Sequence, residues 1–224
     1  PDVSIAGGTA KYYSCLFENE FIPDVEHLDS LVDENTVAVL YNFPSNPTGG
    51  TLDESQRDQL LDFAKRHNLW IISDEVYDRI VFDGHHVSFM GTGYDRVLVV
   101  NSFSKTFAMT GWRMGYIAST NREAMQQITK MQYYITACSN DAMQYAILAA
   151  MNEASDYPSV LANEFRQRCE LIVGRLNAMP GVECHKPKGA IYVFPKVDVP
   201  NMNSQEVAME LLKDGVLCSP GSAF

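Results

Sequence analysis

Long hydrophobic runs are absent from this sequence. No stretch of its 224 residues approaches the roughly 20 consecutive apolar residues that a membrane-spanning helix requires. The opening residues, Pro1 to Ser4, also lack the charged and apolar regions of a signal peptide. We therefore expect no membrane partner.

Positive charge is scarce as well. The 17 Lys and Arg residues are outnumbered by 28 Asp and Glu residues, which gives a formal net charge of −11. Because such a surface repels the phosphate backbone of DNA and RNA, we expect no nucleic acid partner. The charge does not argue against small anionic substrates, since a local basic pocket can lie in an acidic protein.

Cysteine pairs and metal-ligand spacings are missing too. The five cysteines are scattered and odd in number, which favours free thiols over a disulfide framework or a zinc site. The five histidines show no ligand spacing, so we predict no metal site. His85 and His86 are adjacent in a polar stretch and are predicted to be solvated. Gly91-Thr92-Gly93 is too short for a dinucleotide-binding loop and is predicted to be a turn.

Short apolar runs alternate with helical patterns along the first part of the chain. This alternation predicts an α/β fold with a mostly parallel sheet flanked by helices. The predicted strands span residues 37–41, 69–73, 96–101 and 112–119. Thr51 and Glu54 have capping-box spacing and predict the start of a helix. Its buried face is predicted to contain Leu60, Leu61, Phe63 and Ala64.

The second part of the sequence is mainly helical from about Arg122. Met and aromatic residues between Met125 and Tyr145 recur at helical spacing, which predicts core or subunit contacts. Further on we predict a helix over 158–179, a β-hairpin over 182–197, a helix over 204–213 and a strand over 216–219. We therefore predict a large domain over residues 1–165 and part of a smaller α+β domain over residues 166–224.

Polar residues cluster where three of the predicted strands end. The clusters span residues 42–50, 74–77 and 102–113. Any one of them has an ordinary interpretation, since a strand-end Asp usually caps a helix and an isolated Lys is usually solvated. Ligands of doubly wound sheets, however, bind at the carboxyl ends of strands. We therefore expect the three clusters to form one site.

Together the clusters offer what pyridoxal 5'-phosphate requires. This cofactor needs a lysine amine, an acidic partner for its ring nitrogen, donors for its phenolic oxygen and a phosphate cradle. Lys105 offers the amine, Asp74 the carboxylate and Arg113 a bidentate cation for the phosphate. Tyr192 and Phe194 could face a substrate, but ordinary packing is the expected role.

Three stretches resemble the class I/II aminotransferases of the fold-type I pyridoxal-phosphate family. They read YNFPSNPTGG, IISDEVYDRIVFDG and NSFSKTFAMTGWRMGY, and they occur in the family's order and at its usual separations. Two weaker stretches, PKGAIYVFPKV and SPGSAF, resemble the family's small domain. The resemblance, to aspartate aminotransferase-like members, covers essentially the whole chain and implies the pyridoxal-phosphate-dependent transferase fold of type I.

The resemblance also implies a role for each matched residue. Lys105 would form the Schiff base with the cofactor, Asp74 would bind the ring nitrogen, and Asn46 and Tyr77 would bind the phenolic oxygen. The catalytic residues would be Lys105, Asp74 and Tyr77. The phosphate ligands would be Ser102, Ser104 and Arg113. Two donors on the phenolic oxygen would lower the pKa of the Lys105 linkage and keep it reactive.

The implied activity is transfer of an amino group from an amino acid to a 2-oxo acid, with the freed Lys105 amine as base and acid. The resemblance further implies a cytoplasmic homodimer with active sites at the interface. Two alternatives stay open: a C–S lyase or synthase on the same fold, which tends to carry His where this chain has Tyr77, and a cofactor-binding domain of a transcriptional regulator.

Two family features are expected to lie outside this sequence. One is the upstream helix start that binds the phosphate, together with an aromatic residue that stacks on the cofactor ring. The other is a downstream arginine that binds the substrate carboxylate. We therefore interpret the sequence as a fragment and expect an isolated 1–224 polypeptide to be inactive or nearly so.

Overall fold

The computed structural model describes residues 2–224, which form six strands in two sheets and eight α-helices. The strands are β1 (Ala38–Asn42), β2 (Trp70–Asp74), β3 (Val97–Ser102), β4 (Gly115–Ala118), β5 (Val182–Glu183) and β6 (Lys196–Val197). The helices are α1 (Asp2–Ile5), α2 (Val25–Leu31), α3 (Glu54–Arg66), α4 (Phe103–Thr106), α5 (Arg122–Thr136), α6 (Asp141–Glu153), α7 (Tyr157–Leu176) and α8 (Ser204–Lys213). Short 3₁₀ turns span Phe17–Asn19, Thr110–Trp112 and Gly221–Ala223.

The larger sheet has the order β1-β2-β3-β4. Strands β1, β2 and β3 are parallel, and β4 runs antiparallel to β3. This confirms the predicted α/β fold with a mostly parallel sheet. The fourth strand is shorter than predicted, because Thr110–Trp112 form a 3₁₀ turn and Arg113 adopts a left-handed conformation with φ 56°.

The main hydrophobic core lies between this sheet and the helices beside it. It includes Tyr41 of β1, Ile71 of β2 and Val99 of β3. The predicted inner face of α3 is confirmed, since all four of its residues are buried: Leu60, Leu61, Phe63 and Ala64.

The predicted capping box of α3 is wrong by two residues. The Asp53 carboxylate accepts a hydrogen bond from the Gln56 backbone N–H at 2.7 Å, and the Gln56 side chain accepts one from the Asp53 backbone N–H at 2.9 Å. Leu52 is buried in the core, and the extended residue that caps the helix is Asp53.

The helix predicted over 204–213 is confirmed as α8, and the long helix predicted over 158–179 is observed as α7. The domain boundary predicted at residue 165 lies within α7, and the division into domains stays a prediction. Only the ends of the predicted hairpin pair, as antiparallel β5 and β6. The segment between them hydrogen-bonds instead to Gly49, Ile80 and Phe82.

The strand predicted over 216–219 is wrong. These residues form no strand, and Val216 and Leu217 are exposed. A strand requires a neighbour for its backbone groups, and the described part of the chain places none beside this segment.

The apolar residues predicted between Met125 and Tyr145 are mostly exposed. Met131, Tyr133, Tyr134 and Tyr145 are among them, and α5 has no buried residue. The prediction that they form a core is therefore wrong for residues 2–224, and their role as subunit contacts stays a prediction.

All five cysteines are free thiols in the structure, and Cys169 and Cys184 are buried. Among residues 2–224, we find no helix with both the length and the apolar character needed to cross a bilayer.

Candidate active site

The carboxyl ends of β1, β2 and β3 lie side by side and bring the polar clusters together. Asn42 at the end of β1 is opposite Asp74 at the end of β2, and Asp74 is opposite Val100 of β3. The Asn42 side-chain Nδ2 donates a hydrogen bond to the Asp74 carbonyl at 3.2 Å. The same side chain accepts a hydrogen bond at 2.7 Å from the backbone N–H of Asn46. Asn42 thus joins the first two clusters.

Asp74 is a half-buried carboxylate in the middle of this edge. Its Oδ1 accepts a hydrogen bond from the Val76 backbone N–H at 3.3 Å. Burial raises the pKa of Asp74 above its ordinary value and the neighbouring Glu75 charge adds to this effect, while hydrogen bonds from Val76 and Asn42 oppose it. No Lys, Arg or His is in ion-pairing distance of Asp74 in the part of the chain that the structure describes.

Tyr77 and Lys105 meet next to Asp74. The Lys105 Nζ lies 5.5 Å from the centroid of the Tyr77 ring. Tyr77 is only 2% exposed, and its hydroxyl shares a hydrogen bond with the Tyr192 hydroxyl. Burial, the Tyr192 hydrogen bond and the Asp74 charge all raise the pKa of Tyr77, so its hydroxyl keeps its proton. The structure therefore brings a lysine amine and a phenol together, and the phenol lies within reach of the Asp74 charge.

Ser102 begins α4 and connects this helix to the segment that carries Arg113. The Ser102 hydroxyl accepts a hydrogen bond from the Ser104 backbone N–H at 3.1 Å and donates one to the Met114 carbonyl at 3.0 Å. The Phe103 N–H donates to the same carbonyl at 3.2 Å. Arg113 is exposed, and its Nη1 donates to the Thr110 carbonyl at 2.9 Å. Ser102, Ser104 and Arg113 therefore lie around one short turn.

Asn46 lies at the edge of this arrangement. It is exposed and is followed by a cis peptide bond to Pro47. Its backbone is tied to Asn42, whereas its side chain makes no hydrogen bond within residues 2–224. The structure thus brings six of the seven predicted residues into close groups and leaves the Asn46 amide projecting from its loop.

Sequence reasoning missed a buried network behind Asp74. Glu75 is 3% exposed, and its Oε1 accepts hydrogen bonds from the Ser73 hydroxyl at 2.8 Å, the Ser88 hydroxyl at 2.9 Å and the Phe89 N–H at 3.2 Å. Its Oε2 lies 2.8 Å from the His86 Nε2. The prediction that His86 is solvated is wrong, since its side chain is only 13% exposed. The loop that carries it folds back onto the end of β2.

Tyr192 was also missed as a site residue. Its ring packs edge-on against Tyr77 with centroids 5.6 Å apart and an interplanar angle of 80°. The two residues are 115 positions apart. Packing was the expected role of Tyr192, and the hydroxyl contact adds a polar one. The only feature of the sequence that could have indicated this contact was the hydroxyl group of Tyr192 itself, within the stretch PKGAIYVFPKV.

A model of the family described as aminotransferase class I and II matches residues 1–224. The chain belongs to the class I and II aminotransferases. It is 35% identical over 211 residues to the aspartate aminotransferase of Pyrococcus horikoshii. The match covers 92% of this chain and 54% of that protein. It is 36% identical over 230 residues to aromatic-amino-acid aminotransferase 2 of Thermococcus litoralis, covering 100% of this chain and 59% of that protein.

Solved structures of aminotransferases have the same fold. The aspartate aminotransferase of Thermotoga maritima superposes with a TM-score of 0.91 at 36% identity, covering 100% of this chain and 58% of that one. The aromatic aminotransferase of Pyrococcus horikoshii superposes with a TM-score of 0.92 at 36% identity, covering 99% of this chain and 60% of that one. The fold is therefore that of the fold-type I aminotransferases. The chain spans somewhat more than half the length of the curated relatives it matches.

Proposed function

We propose that this chain is the cofactor-binding part of a pyridoxal 5'-phosphate-dependent aminotransferase that moves an amino group from an amino acid to a 2-oxo acid. One observation carries the proposal. The Lys105 amine lies over the ring of Tyr77, and the Asp74 carboxylate is close enough to Tyr77 for its charge to raise the pKa of that phenol, at the carboxyl edge of the sheet in a chain of this family. The names of its relatives support aspartate or an aromatic amino acid as the donor.

The residues at this edge fit the cofactor. When bound, pyridoxal phosphate supplies a conjugated ring that withdraws electrons from the substrate's α-carbon. Asp74 suits the ring nitrogen, because a carboxylate whose pKa is raised by burial is stabilised by a cation brought beside it. Tyr77 suits the phenolic oxygen, because its hydroxyl keeps its proton and can donate. Asn46 is the second donor that we assign to this oxygen.

The phosphate would be held by the turn around Ser102. The hydroxyls of Ser102 and Ser104 and the guanidinium of Arg113 are the groups that we assign to it. The Ser102 hydroxyl donates its one proton to the Met114 carbonyl, so it would have to exchange this hydrogen bond for one to the phosphate. A guanidinium offers several N–H groups in one plane, so it can bind two phosphate oxygens at once.

Lys105 has two tasks in this proposal. Its Nζ would hold the cofactor in the resting enzyme. When free, the same nitrogen would take the proton from the substrate's α-carbon and later return a proton. The Tyr77 ring beneath the amine limits where Nζ can move.

The exposed apolar side chains of α5 and α6 support a homodimer, which we propose together with a cytoplasmic location. A dimeric mass in sedimentation of the whole protein would agree with this assignment.

The test is a Lys105→Ala variant of the holoenzyme, compared with Lys65→Ala. Lys65 is an exposed residue of α3 and serves as the matched control. We expect Lys105→Ala to lower transamination by at least about 10²–10⁴-fold, the usual contribution of a positioned acid–base group. Borohydride reduction with pyridoxal phosphate should label Lys105 in a peptide map and should fail to label that site in the variant.

Normal turnover by Lys105→Ala would refute the proposal. Product analysis addresses the reaction itself, with aspartate or an aromatic amino acid as donor. Formation of an oxo acid and a new amino acid supports transamination. Release of ammonia or a thiol with no new amino acid would instead assign the lyase chemistry.

A further inference from the structure

We propose that Tyr192 is a positioning residue whose hydroxyl donates to the Tyr77 hydroxyl and thereby directs the proton of Tyr77 toward the phenolic oxygen of the cofactor. The inference rests on the proposed function and extends it to a residue of the 187–192 segment. Tyr192 itself need not touch the cofactor, since it acts through Tyr77.

The first support is the contact between the two phenols. Their hydroxyls are hydrogen-bonded, and their rings pack edge to face. Tyr77 and Tyr192 belong to a small apolar cluster with Ile80, Ala190 and Phe165. Because Tyr77 is almost completely buried, solvent has little access to replace this hydrogen bond.

The second support is the rigidity of the backbone that carries Tyr192. The Lys188 and Gly189 N–H groups both donate to the Gly49 carbonyl at 3.0 Å, which ties the segment to the Asn46 loop. The Ala190 N–H donates to the Ile80 carbonyl at 2.8 Å, and the Phe82 N–H donates to the Lys188 carbonyl at 2.9 Å. The segment is therefore held by the two loops that carry Asn46 and Tyr77.

Gly189 shows how tightly this segment is held. A Cβ at this position would lie 2.7 Å from the Ile80 carbonyl oxygen, which is closer than real Cβ contacts come. The backbone therefore passes against the Tyr77 loop with no room for a side chain. Tyr192 follows three residues later, so its hydroxyl has a fixed place relative to Tyr77.

The direction of the hydrogen bond follows from the number of protons. Each phenol has one O–H to donate, and its oxygen can accept as well. Hydrogen bonds to an anionic acceptor are stronger than bonds between neutral groups, so Tyr77 donates its hydrogen bond to the cofactor phenolate. Tyr77 then has only its oxygen lone pairs left for Tyr192, and Tyr192 becomes the donor. A chain of two donors ending on an anion is also mutually strengthening.

The surroundings of Tyr77 keep its proton in place. Burial, the hydrogen bond with Tyr192 and the Asp74 charge raise the pKa of Tyr77, so it stays protonated at neutral pH. A hydrogen bond that raises this pKa is one that Tyr77 donates, so the proposed donation by Tyr192 requires the bond to reverse when the cofactor phenolate accepts from Tyr77. The Lys105 amine lies over the ring face of Tyr77. The hydrogen bond that Tyr77 donates to the phenolic oxygen lowers the pKa of the Lys105–cofactor linkage, because it stabilises the deprotonated form of that linkage.

The experiment is a spectroscopic pH titration of the Lys105–cofactor linkage in the holoenzyme. The wild type is compared with Tyr192→Phe, Tyr77→Phe, the double variant and Tyr94→Phe. Tyr94 is the matched control, because its hydroxyl also donates a partly buried hydrogen bond, to the Leu69 carbonyl at 2.7 Å, at the opposite end of β2.

We expect Tyr192→Phe to raise the pKa of the linkage by about half a unit, the size of one net hydrogen bond. Tyr77→Phe should raise it more, and the double variant should match Tyr77→Phe, because Tyr192 acts only through Tyr77. Tyr94→Phe should leave the titration unchanged. In protein without cofactor, the ¹³Cζ NMR signal of Tyr77 should shift in Tyr192→Phe.

A second variant keeps the test valid should Tyr192→Phe fold poorly. Tyr192→3-fluorotyrosine keeps the ring and makes the hydroxyl a stronger donor, so it should lower the pKa of the linkage. An unchanged titration in both variants, or shifts opposite to these signs, would overturn the role of Tyr192. A wild-type protein without any visible band of lysine-bound cofactor would instead overturn the proposed function.

Discussion

Replacing Glu75 by alanine removes the acceptor at the centre of the network behind β2. The carboxylate of Glu75 receives hydrogen bonds from Ser73, Ser88 and Phe89 and lies 2.8 Å from the Nε2 of His86. Ser73 and Phe89 are themselves buried, so water cannot easily take the place of the lost acceptor. The variant therefore leaves several buried polar groups without a partner.

The expected cost follows from the kind of groups left behind. A buried donor without an acceptor costs about 1–3 kcal/mol, and removal of one partner of a buried ionic contact costs about 3–5 kcal/mol. These effects overlap, so Glu75→Ala should lower the free energy of unfolding by about 3–5 kcal/mol. Glu75→Gln keeps one acceptor oxygen and the side-chain volume, and it should cost about 1–2 kcal/mol.

Urea unfolding followed by circular dichroism measures both variants. Glu34→Ala is the control, since Glu34 is an exposed loop residue and its removal should change the free energy of unfolding by less than about 0.5 kcal/mol. A Glu75→Ala protein as stable as this control would refute the reasoning, because the network would then contribute nothing to stability.

The same network predicts a dependence on pH. Burial alone would raise the pKa of Glu75, but the contact and charge of His86 and the hydroxyls of Ser88 and Ser73 outweigh it and hold the pKa below its ordinary 4.5. A depressed pKa in the folded state means that this stabilisation is complete above pH 4.5 and is lost as the pH falls through the folded value. Glu75→Gln should remove this part of the acid sensitivity, which unfolding at a series of pH values would detect.

Two further variants test local structure, both by thermal unfolding. Asp53→Ala removes the observed cap of α3 and should cost about 1 kcal/mol, whereas Thr51→Ala should cost clearly less; the reverse order would contradict the observed cap. Gly189→Ala places a Cβ 2.7 Å from the Ile80 carbonyl oxygen and should lower the free energy of unfolding by about 1–3 kcal/mol. Its comparison is Gly84→Ala, whose Cβ meets no atom within 4 Å, so that variant tests the effect of a positive φ alone. An unchanged melting temperature in Gly189→Ala would show that the segment can move away.

Local patterns predicted most of the secondary structure. The strands that became β1, β2 and β3 were apolar runs bounded by polar residues, and α3 and α8 had clear helical periodicity. These features depend on neighbours a few residues apart, which the sequence displays directly. The strand predicted over 216–219 was wrong for the opposite reason. Its residues are apolar, but a strand also needs a pairing strand, which can be distant in the sequence and which a local pattern does not reveal.

The candidate site was predicted only as far as its motifs reach. The order of strands places Asp74 and Ser102 at one edge, and a parallel sheet makes this a direct consequence of the sequence. The contact of Glu75 with His86 depends on how a polar loop folds back. The contact of Tyr77 with Tyr192 joins residues 115 positions apart. Neither contact has a periodicity or spacing that could reveal it.

The two adjacent carboxylates at the end of β2 have opposite environments, and this difference is what the proposed chemistry needs. Successive side chains of a strand point in opposite directions, so Glu75 enters the core while Asp74 faces the site. Glu75 is surrounded by donors and stays ionised without a ligand. The pKa of Asp74 is raised by burial, so its ionised form is stabilised further only when a cation arrives. A protein cation beside Asp74 would satisfy it in advance and weaken its hold on a protonated ring nitrogen. We therefore propose that Glu75 serves the structure and that Asp74 serves cofactor binding.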